Sequence, residues 1–188
     1  MPARFLLAIA AAMAASLVAP PANAGTPLVH PAASVEKAAP LPALTGRVVD
    51  DAHILSQPEQ QRLTARLAAL EQRTTDQVVV VTLPSLGGLP IEQVGLRLGN
   101  GWHIGRKGLN NGVLLIIAPN ERKVRIEVGL GLEGLLTNER AAAIIQEKLI
   151  PMFRMGAYDG AAEAGVKAIA SILESDLRRP QPRRGSGA

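Results

Sequence analysis

The spacing of apolar residues along the chain predicts alternating strands and helices. Residues 78–81 are four consecutive valines, and residues 113–118 are wholly apolar. Runs of this kind are typical of strands that are covered on both faces. Residues 48–51 predict a shorter extended segment, and residues 123–128 alternate strictly between charged and apolar side chains. That alternation, which follows a turn at 119–122, predicts a β-hairpin whose second strand lies at the sheet edge.

Four amphipathic segments between and after these strands predict helices. Ser56 fits the N-cap of the first, with Glu59 as the return partner of a capping box, and Thr137 and Asp159 fit the caps of the last two. Pro151 is expected to end the third helix. The apolar stripes have helical spacing: Leu63, Leu67 and Leu70; Ile91, Val94, Leu98 and Trp102; Val166, Ile169 and Leu173. This order of elements predicts an α/β fold, a three-layer α/β/α sandwich with a small mixed sheet.

The chain divides into four predicted segments. Residues 1–24 are expected to be a secretory signal peptide, with a positive start, an apolar run and a small-x-small triplet that ends at Ala24. The run is shorter than the roughly 20 residues that span a bilayer, although an uncleaved anchor is the alternative. Residues 25–43 resemble a Pro/Ala-rich linker, 44–177 form the domain, and 178–188 form a basic, disordered tail. These boundaries predict an exported protein, periplasmic or secreted, that is soluble after cleavage.

The positive net charge of +4 belongs to the chain ends. Residues 25–177 contain 15 of the 20 Lys and Arg residues and all 16 Asp and Glu residues, so this part is near neutral. The tail carries four arginines and is expected to be solvated, with a weak contact to an anionic membrane surface as the alternative. Aromatic residues make up only 2% of the chain, so a nucleic-acid partner that stacks bases on aromatic rings is not expected.

One glycine motif has the residue pattern of the dinucleotide-binding fingerprint but not its structural context. Gly129-x-Gly131-x-x-Gly134 follows the second arm of a hairpin, whereas the fingerprint follows the first strand of a parallel βαβ unit. No nucleotide cofactor is therefore expected. The chain has no cysteine, and its three histidines include no i, i+4 pair, so neither residue type predicts a metal site.

Acidic residues at the ends of the predicted strands are candidate ligands for a hard cation. Asp50 and Asp51 follow the first extended segment, Asp76 precedes the valine strand, and Glu133 lies in the glycine-rich loop. Calcium binds several oxygen ligands supplied by carboxylates and irregular backbone. The alternative is that these aspartates accept hydrogen bonds from nearby backbone amides, as aspartates at turns commonly do.

Five blocks of sequence, in register between Thr45 and Leu173, carry a resemblance to a known family. They are GRVVDDAHILS from Gly46, QVVVVTLPSLGG from Gln77, WHIGRKGLNNGVLL from Trp102, KVRIEVGLGLEG from Lys123 and IPMFRMGAYD from Ile150. Together they resemble the TPM domain family, which groups YgcG-like exported bacterial proteins with plant thylakoid-lumen relatives. The resemblance implies a Rossmann-like α/β/α sandwich that does not bind dinucleotides.

The resemblance also implies calcium binding, and acid phosphatase activity has been proposed for some relatives. Other relatives act around membrane protein complexes. The implied metal ligands are the family's recurrent acids and the aspartate beside the first of them: Asp50, Asp51, Glu127, Glu133 and Asp159. An ion pair with Arg106 or Arg125 is an equal alternative for Glu127, and a helix cap is the alternative for Asp159.

This chain departs from the family pattern at three positions. Leu130 lies between two glycines where Tyr is frequent, Asn138 stands where Asp is frequent, and His53 stands where Gly is common. The absence of an acid at Asn138 lowers the negative charge available to a metal ion.

Two functions of different classes follow as expectations. The first is a calcium-binding accessory protein that contacts envelope or membrane protein complexes. The second is a metal-assisted acid phosphatase, in which a cation held by Asp50 activates water while Arg106 and Lys107 neutralise the phosphate. The alternative for these two basic residues is an ordinary solvated loop. The sequence identifies no nucleophile and leaves the oligomeric state open.

Overall fold

In the described part of the chain, the four strands of the sheet follow the same order along the sequence and across the sheet. The structure is a computed structural model that describes residues 41–177. Its elements are β1 (Val48–Asp50), α1 (Gln57–Thr74), β2 (Gln77–Thr82), α2 (Ile91–Gly101), β3 (Gly112–Ala118), β4 (Lys123–Val128), α3 (Asn138–Ile144), a π-helical turn (Ile145–Leu149), α4 (Ile150–Arg154) and α5 (Tyr158–Leu177). The strands β1, β2 and β3 are parallel, and β4 forms an antiparallel hairpin with β3.

The register defines two ends of the sheet. Asp50 pairs with Thr82 where β1 and β2 finish, and this end is called the C-terminal edge. Gln77 pairs with Gly112 where β2 and β3 begin, and this end is called the N-terminal edge. Because β4 runs antiparallel, its last residue, Val128, lies opposite Val113 near the N-terminal edge.

Each face of the sheet has its own apolar core. On one face, the buried leucines of α1 pack with Val80 and Leu115 and with the buried faces of α3 and α5. On the other face, Leu98 of α2 packs with Val79 and Ile116. Alternate residues of the same strands therefore enter opposite cores, which explains why β2 and β3 are apolar throughout. The predicted three-layer α/β/α sandwich with a mixed sheet and a hairpin is confirmed.

The two parallel crossovers have opposite hands. The strands β1, β2 and β3 are adjacent in sequential order, so both connections step in the same direction across the sheet. However, α1 covers one face and α2 covers the other. One of the two connections must therefore be left-handed, which is rare because about 98% of such crossovers are right-handed.

The start of α1 differs from the predicted capping box. Ser56 caps the helix, because its Oγ accepts a hydrogen bond from the amide of Glu59 at 3.4 Å. Glu59 does not return the bond. Its carboxylate is buried and pairs with Arg62 at 2.6 Å, and Asp159 Oδ1 accepts from the Ser56 amide at 2.8 Å instead. The reciprocal partner thus comes from a helix 103 residues away in sequence, which a local motif cannot reveal.

Pro151 does not end the third helix. The helix that begins after Thr137 passes through the π-helical turn, in which the Ile150 amide donates to the carbonyl of Ile145. Pro151 then lies in the first turn of α4, and the helix continues to Arg154. Proline lacks the N–H that a regular helix interior requires, and here it directly follows the i→i+5 turn, where the regular i→i+4 hydrogen bonding is already interrupted.

Three of the predicted segments lie wholly or partly outside the described residues. The signal peptide (1–24), most of the linker (25–43) and the tail (178–188) belong to this group. The described end of the linker contacts the domain, because the Trp102 indole N–H donates to the carbonyl of Pro42 at 3.0 Å. Within 41–177, no helix combines the length and apolar character that a membrane span requires.

Candidate functional site

Asp50, the first-choice metal ligand from the sequence, is surrounded by hydrogen-bond donors. Its Oδ1 accepts from the Thr82 hydroxyl at 2.5 Å and the Ile54 amide at 3.2 Å. Its Oδ2 accepts from the Leu55 amide at 3.1 Å and Gln60 Nε2 at 3.0 Å. Four donors are converging on one carboxylate, which therefore holds the chain between β1 and α1 in place. This is the backbone-bonding alternative that the turn position allowed.

Asp51 and Asp159 lie at the same C-terminal edge but do not join Asp50 in one site. Asp51 is exposed, and its amide donates to the carbonyl of Thr82 at 3.2 Å. Asp159 lies in the first turn of α5, and its Oδ1 is engaged by the Ser56 amide. Asp159 was predicted to cap α5, but its carboxylate instead accepts a hydrogen bond at the start of α1.

Glu127 and Glu133 lie together in a groove of about 370 Å³ between α2 and the loop after β4. Glu127 Oε2 accepts from Arg125 Nε at 2.6 Å, which is one of the ion pairs that the sequence allowed. A side chain at Gly95 would meet that oxygen, since a Cβ there would lie 2.7 Å from it. Asn110 also lines the groove.

The five acids are thus divided between the two edges of the sheet. Among residues 41–177, no group of three or more acidic or histidine side chains is arranged to hold a metal ion. Calcium needs six to eight oxygen ligands. The two carboxylate oxygens of Asp50 already accept four hydrogen bonds, so they are poorly available as ligands. The groove is the better fit, because Glu127, Glu133 and Asn110 all line it, and so few candidate ligands suit weak rather than tight binding.

Arg106 and Lys107 lie at the N-terminal edge, away from Asp50. The neighbouring Gly105 amide donates to Gln77 Oε1 at 2.8 Å, and Gln77 is the first residue of β2. Asp50 lies beside Thr82 at the other end of that strand, and five steps along a strand separate the two ends by roughly 16 Å. The structure therefore does not bring the three candidate catalytic residues together.

A buried polar cluster anchors the loop that carries Arg106. Asn111 Oδ1 accepts from the Arg106 amide at 2.9 Å, and Asn111 Nδ2 donates to Asp76 Oδ1 at 3.1 Å and to the Thr75 carbonyl at 2.9 Å. Burial raises the pKa of Asp76, and the hydrogen bond from Asn111 offsets part of that rise. This cluster explains Asp76, a sequence candidate, as a support for the turn before β2.

The glycine motif has a packing role. A Cβ at Gly129 would lie 2.2 Å from the carbonyl oxygen of Asn110, and one at Gly131 would lie 1.9 Å from that of Leu109. The loops before β3 and after β4 therefore touch backbone to backbone, and only glycine permits the contact. At Gly134, by contrast, a Cβ would meet nothing within 4 Å.

The family departure at His53 also has a backbone reason. His53 is exposed and has a φ of 52°, in the left-handed region that glycine adopts most easily. The glycine that is common at this position in the family thus fits the turn better than histidine does.

Sequence reasoning missed a larger cleft at the C-terminal edge. This cleft, of about 730 Å³, lies between the β3–β4 turn and the junction of α4 with α5, and its lining includes Arg122, Lys123, Arg154 and Tyr158. No local pattern could have joined these residues, because the turn and the helix junction are about 30 residues apart in the chain.

Comparisons with known proteins agree with this architecture. The TPM domain family matches residues 48–172. The chain is similar to the solution structure of the N-terminal domain of a Porphyromonas gingivalis (P.gingivalis) protein, at 36% identity and a TM-score of 0.67, over 74% of this chain and 89% of that one. No curated protein matches the chain.

Two further solution structures share the fold at lower identity. The N-terminal domain of cg2496 from Corynebacterium glutamicum is 18% identical with a TM-score of 0.56, over 77% of this chain and 90% of that one. The BA42 protein of Bizionia argentinensis is 15% identical with a TM-score of 0.56, over 64% and 82%. The family match covers most of the described domain, and the chain therefore belongs to the TPM domain family.

Proposed function

We propose that this chain is an exported accessory protein of the cell envelope, in which the TPM domain binds a cation and a partner rather than catalysing a reaction. The export half of the proposal rests on the leader at 1–24. The binding half rests on the state of Asp50, whose carboxylate accepts four hydrogen bonds from the chain itself. A carboxylate so engaged supports the fold and is not free to hold an activating metal ion.

The phosphatase alternative requires a cation and anion-binding side chains at one place. Asp50 lies at the C-terminal edge, and Arg106 follows a residue that is hydrogen-bonded to the start of β2. Turnover of p-nitrophenyl phosphate by the purified domain is therefore expected to stay at the background of the buffer. Turnover that is lost in Asp50→Asn, while the variant keeps its fold, would replace the binding proposal by the enzymatic one.

The proposed cation is calcium, held weakly in the groove of Glu127 and Glu133. Its ligands there would be the Glu133 carboxylate, the oxygen of Glu127 that does not face Arg125, and the Asn110 amide, with water completing the shell. A Kd in the millimolar range is expected, as in extracellular calcium modules. Calcium at ten times Kd would then stabilise the domain by about 1.4 kcal/mol.

Thermal melting with calcium or EDTA tests this site. We expect calcium to raise the Tm of the mature domain by a few degrees. Glu133→Gln is expected to remove the rise, and Glu147→Gln, which changes an exposed helical acid outside the groove, is expected to keep it. No rise at 10 mM calcium, or a rise unchanged in Glu133→Gln, would contradict the placement.

The export half has a separate test, since the mature protein is expected to begin at Gly25 by mass spectrometry of the envelope fraction.

A further inference from the structure

The larger cleft lies where α/β proteins commonly bind ligands. It opens at the C-terminal edge, beyond the ends of the parallel strands, a position that favours ligand binding in open α/β sheets. Its volume of about 730 Å³ is within the range of small-molecule sites, about 300–1,000 Å³. The β3–β4 turn forms one wall and the α4–α5 junction forms the other.

The mouth of this cleft is basic. Arg122 and Lys123 come from the turn, and Arg154 comes from the end of α4; all three are exposed. In the described part of the chain, neither Arg122 nor Arg154 forms a side-chain hydrogen bond or an ion pair, whereas most other arginines there do. The positive charge of Lys123 helps to lower the pKa of Glu121 through a Coulomb interaction. No carboxylate of residues 41–177 lines the cleft to neutralise these cations.

The interior of the cleft is apolar with one phenol. Ile117, Val124 and Ile150 line it together with Phe153, whose ring lies 5.7 Å from that of Tyr158. An apolar floor under a basic mouth is complementary to a molecule that has a hydrocarbon body and an anionic head. Inorganic anions would leave the floor uncovered, and uncharged apolar molecules would leave the guanidinium groups unpaired.

We propose that this cleft binds a small amphipathic anion, whose carboxylate or phosphate head pairs with Arg122 and Arg154 while its apolar body packs on Phe153 and its neighbours. Arginine suits either head because its planar guanidinium can donate two parallel hydrogen bonds to two oxygens. The cleft lies at the opposite edge from the groove of Glu127 and Glu133, so this site is independent of the proposed calcium site.

The test is an NMR titration of the mature protein with four matched probes: octanoate, octyl phosphate, octanol and inorganic phosphate. Octanoate or octyl phosphate is expected to bind saturably and to shift the amide signals of residues 122–124 and 153–158. Octanol and inorganic phosphate are expected to bind at least tenfold more weakly. If octanoate and octyl phosphate both bind, the site accepts either a carboxylate or a phosphate head. If only octyl phosphate binds, the site is specific for a phosphate head.

Variants connect the binding to the named side chains. Arg122→Ala and Arg154→Ala are each expected to raise the Kd about three- to tenfold, because each removes a charged hydrogen bond at a partly solvated site. Lys148→Ala removes an exposed lysine outside the cleft and is expected to leave the Kd unchanged. The proposal is overturned if neither octanoate nor octyl phosphate binds, or if octanol binds with the same Kd as they do. It is also overturned if inorganic phosphate binds as tightly as octyl phosphate, which would mean an adventitious ion only. The same holds if the double variant Arg122→Ala/Arg154→Ala keeps the wild-type Kd while its Tm is unchanged.

Discussion

Replacing Gly131 by alanine tests whether the glycine motif serves packing. In the wild type, the Gly131 amide donates to the carbonyl of Asn110 at 3.1 Å, which holds the loop after β4 against the loop before β3. The new methyl group would lie 1.9 Å from the carbonyl oxygen of Leu109 and 3.2 Å from that of Asn110. The nearest atoms are backbone, so no side-chain rotation can make room for it.

The size of the effect follows from this overlap. Non-bonded heavy atoms rest about 3.5 Å apart, so one loop must retreat by about 1.5 Å from the other. Overpacking of this kind costs about 1–3 kcal/mol, and the strained hydrogen bond to Asn110 adds about 1 kcal/mol. We therefore expect Gly131→Ala to lower the free energy of unfolding by about 2–4 kcal/mol, which corresponds to a Tm lower by roughly 6–15 °C.

Urea unfolding and thermal melting, both followed by circular dichroism, measure this loss. Gly134→Ala is the matched control, because it changes the third glycine of the same motif at a position where a Cβ meets nothing within 4 Å. That control is expected to equal the wild type or to exceed it by up to about 1 kcal/mol, since alanine restricts the unfolded chain. Equal stabilities of Gly131→Ala and Gly134→Ala would refute the packing explanation of the motif.

Three further predictions concern the acids. Asp50→Asn leaves one side-chain oxygen for four donors, so it is expected to lower the free energy of unfolding by about 1.5–3 kcal/mol, with or without calcium. In the same urea assay, the control Asp51→Asn is expected to stay within about 0.5 kcal/mol of the wild type. Asp159→Ala is expected to cost about 1 kcal/mol by the same assay, because the Ser56 amide loses its acceptor. Burial raises the pKa of Asp76 in the folded state, so its ionisation opposes folding as the pH rises above about 3.9. Asp76→Asn is therefore expected to gain stability relative to the wild type as the pH rises above that value, and a difference in stability that does not change with pH would count against this.

Much of the site could not be predicted because its contacts join distant parts of the chain. The sequence identified Asp50 and Asp159 as notable acids, but one of the four donors to Asp50, Thr82, lies 32 residues away, and the donor to Asp159, Ser56, lies 103 residues away. The same holds for the basic cleft, whose arginines come from a turn and a helix end that no spacing rule connects. Among the predicted metal ligands, only Glu127 and Glu133 were placed in the same groove, and they are close in sequence, at the end of β4 and in the loop that follows it.

The sequence by itself determined the layers of this protein. Apolar runs in β2 and β3 required cover on both faces, the alternation in β4 required an edge position, and the leucine spacing of α1 required one buried face. These are local periodicities, and each element's burial follows from its own residues. Tertiary structure alone decided that α1 and α2 lie on opposite faces, that the helix continues past Pro151, and that Asp159 accepts a hydrogen bond from the start of α1. Those outcomes depend on which surfaces and donors meet in space, and the periodicity of a single segment carries no information about them.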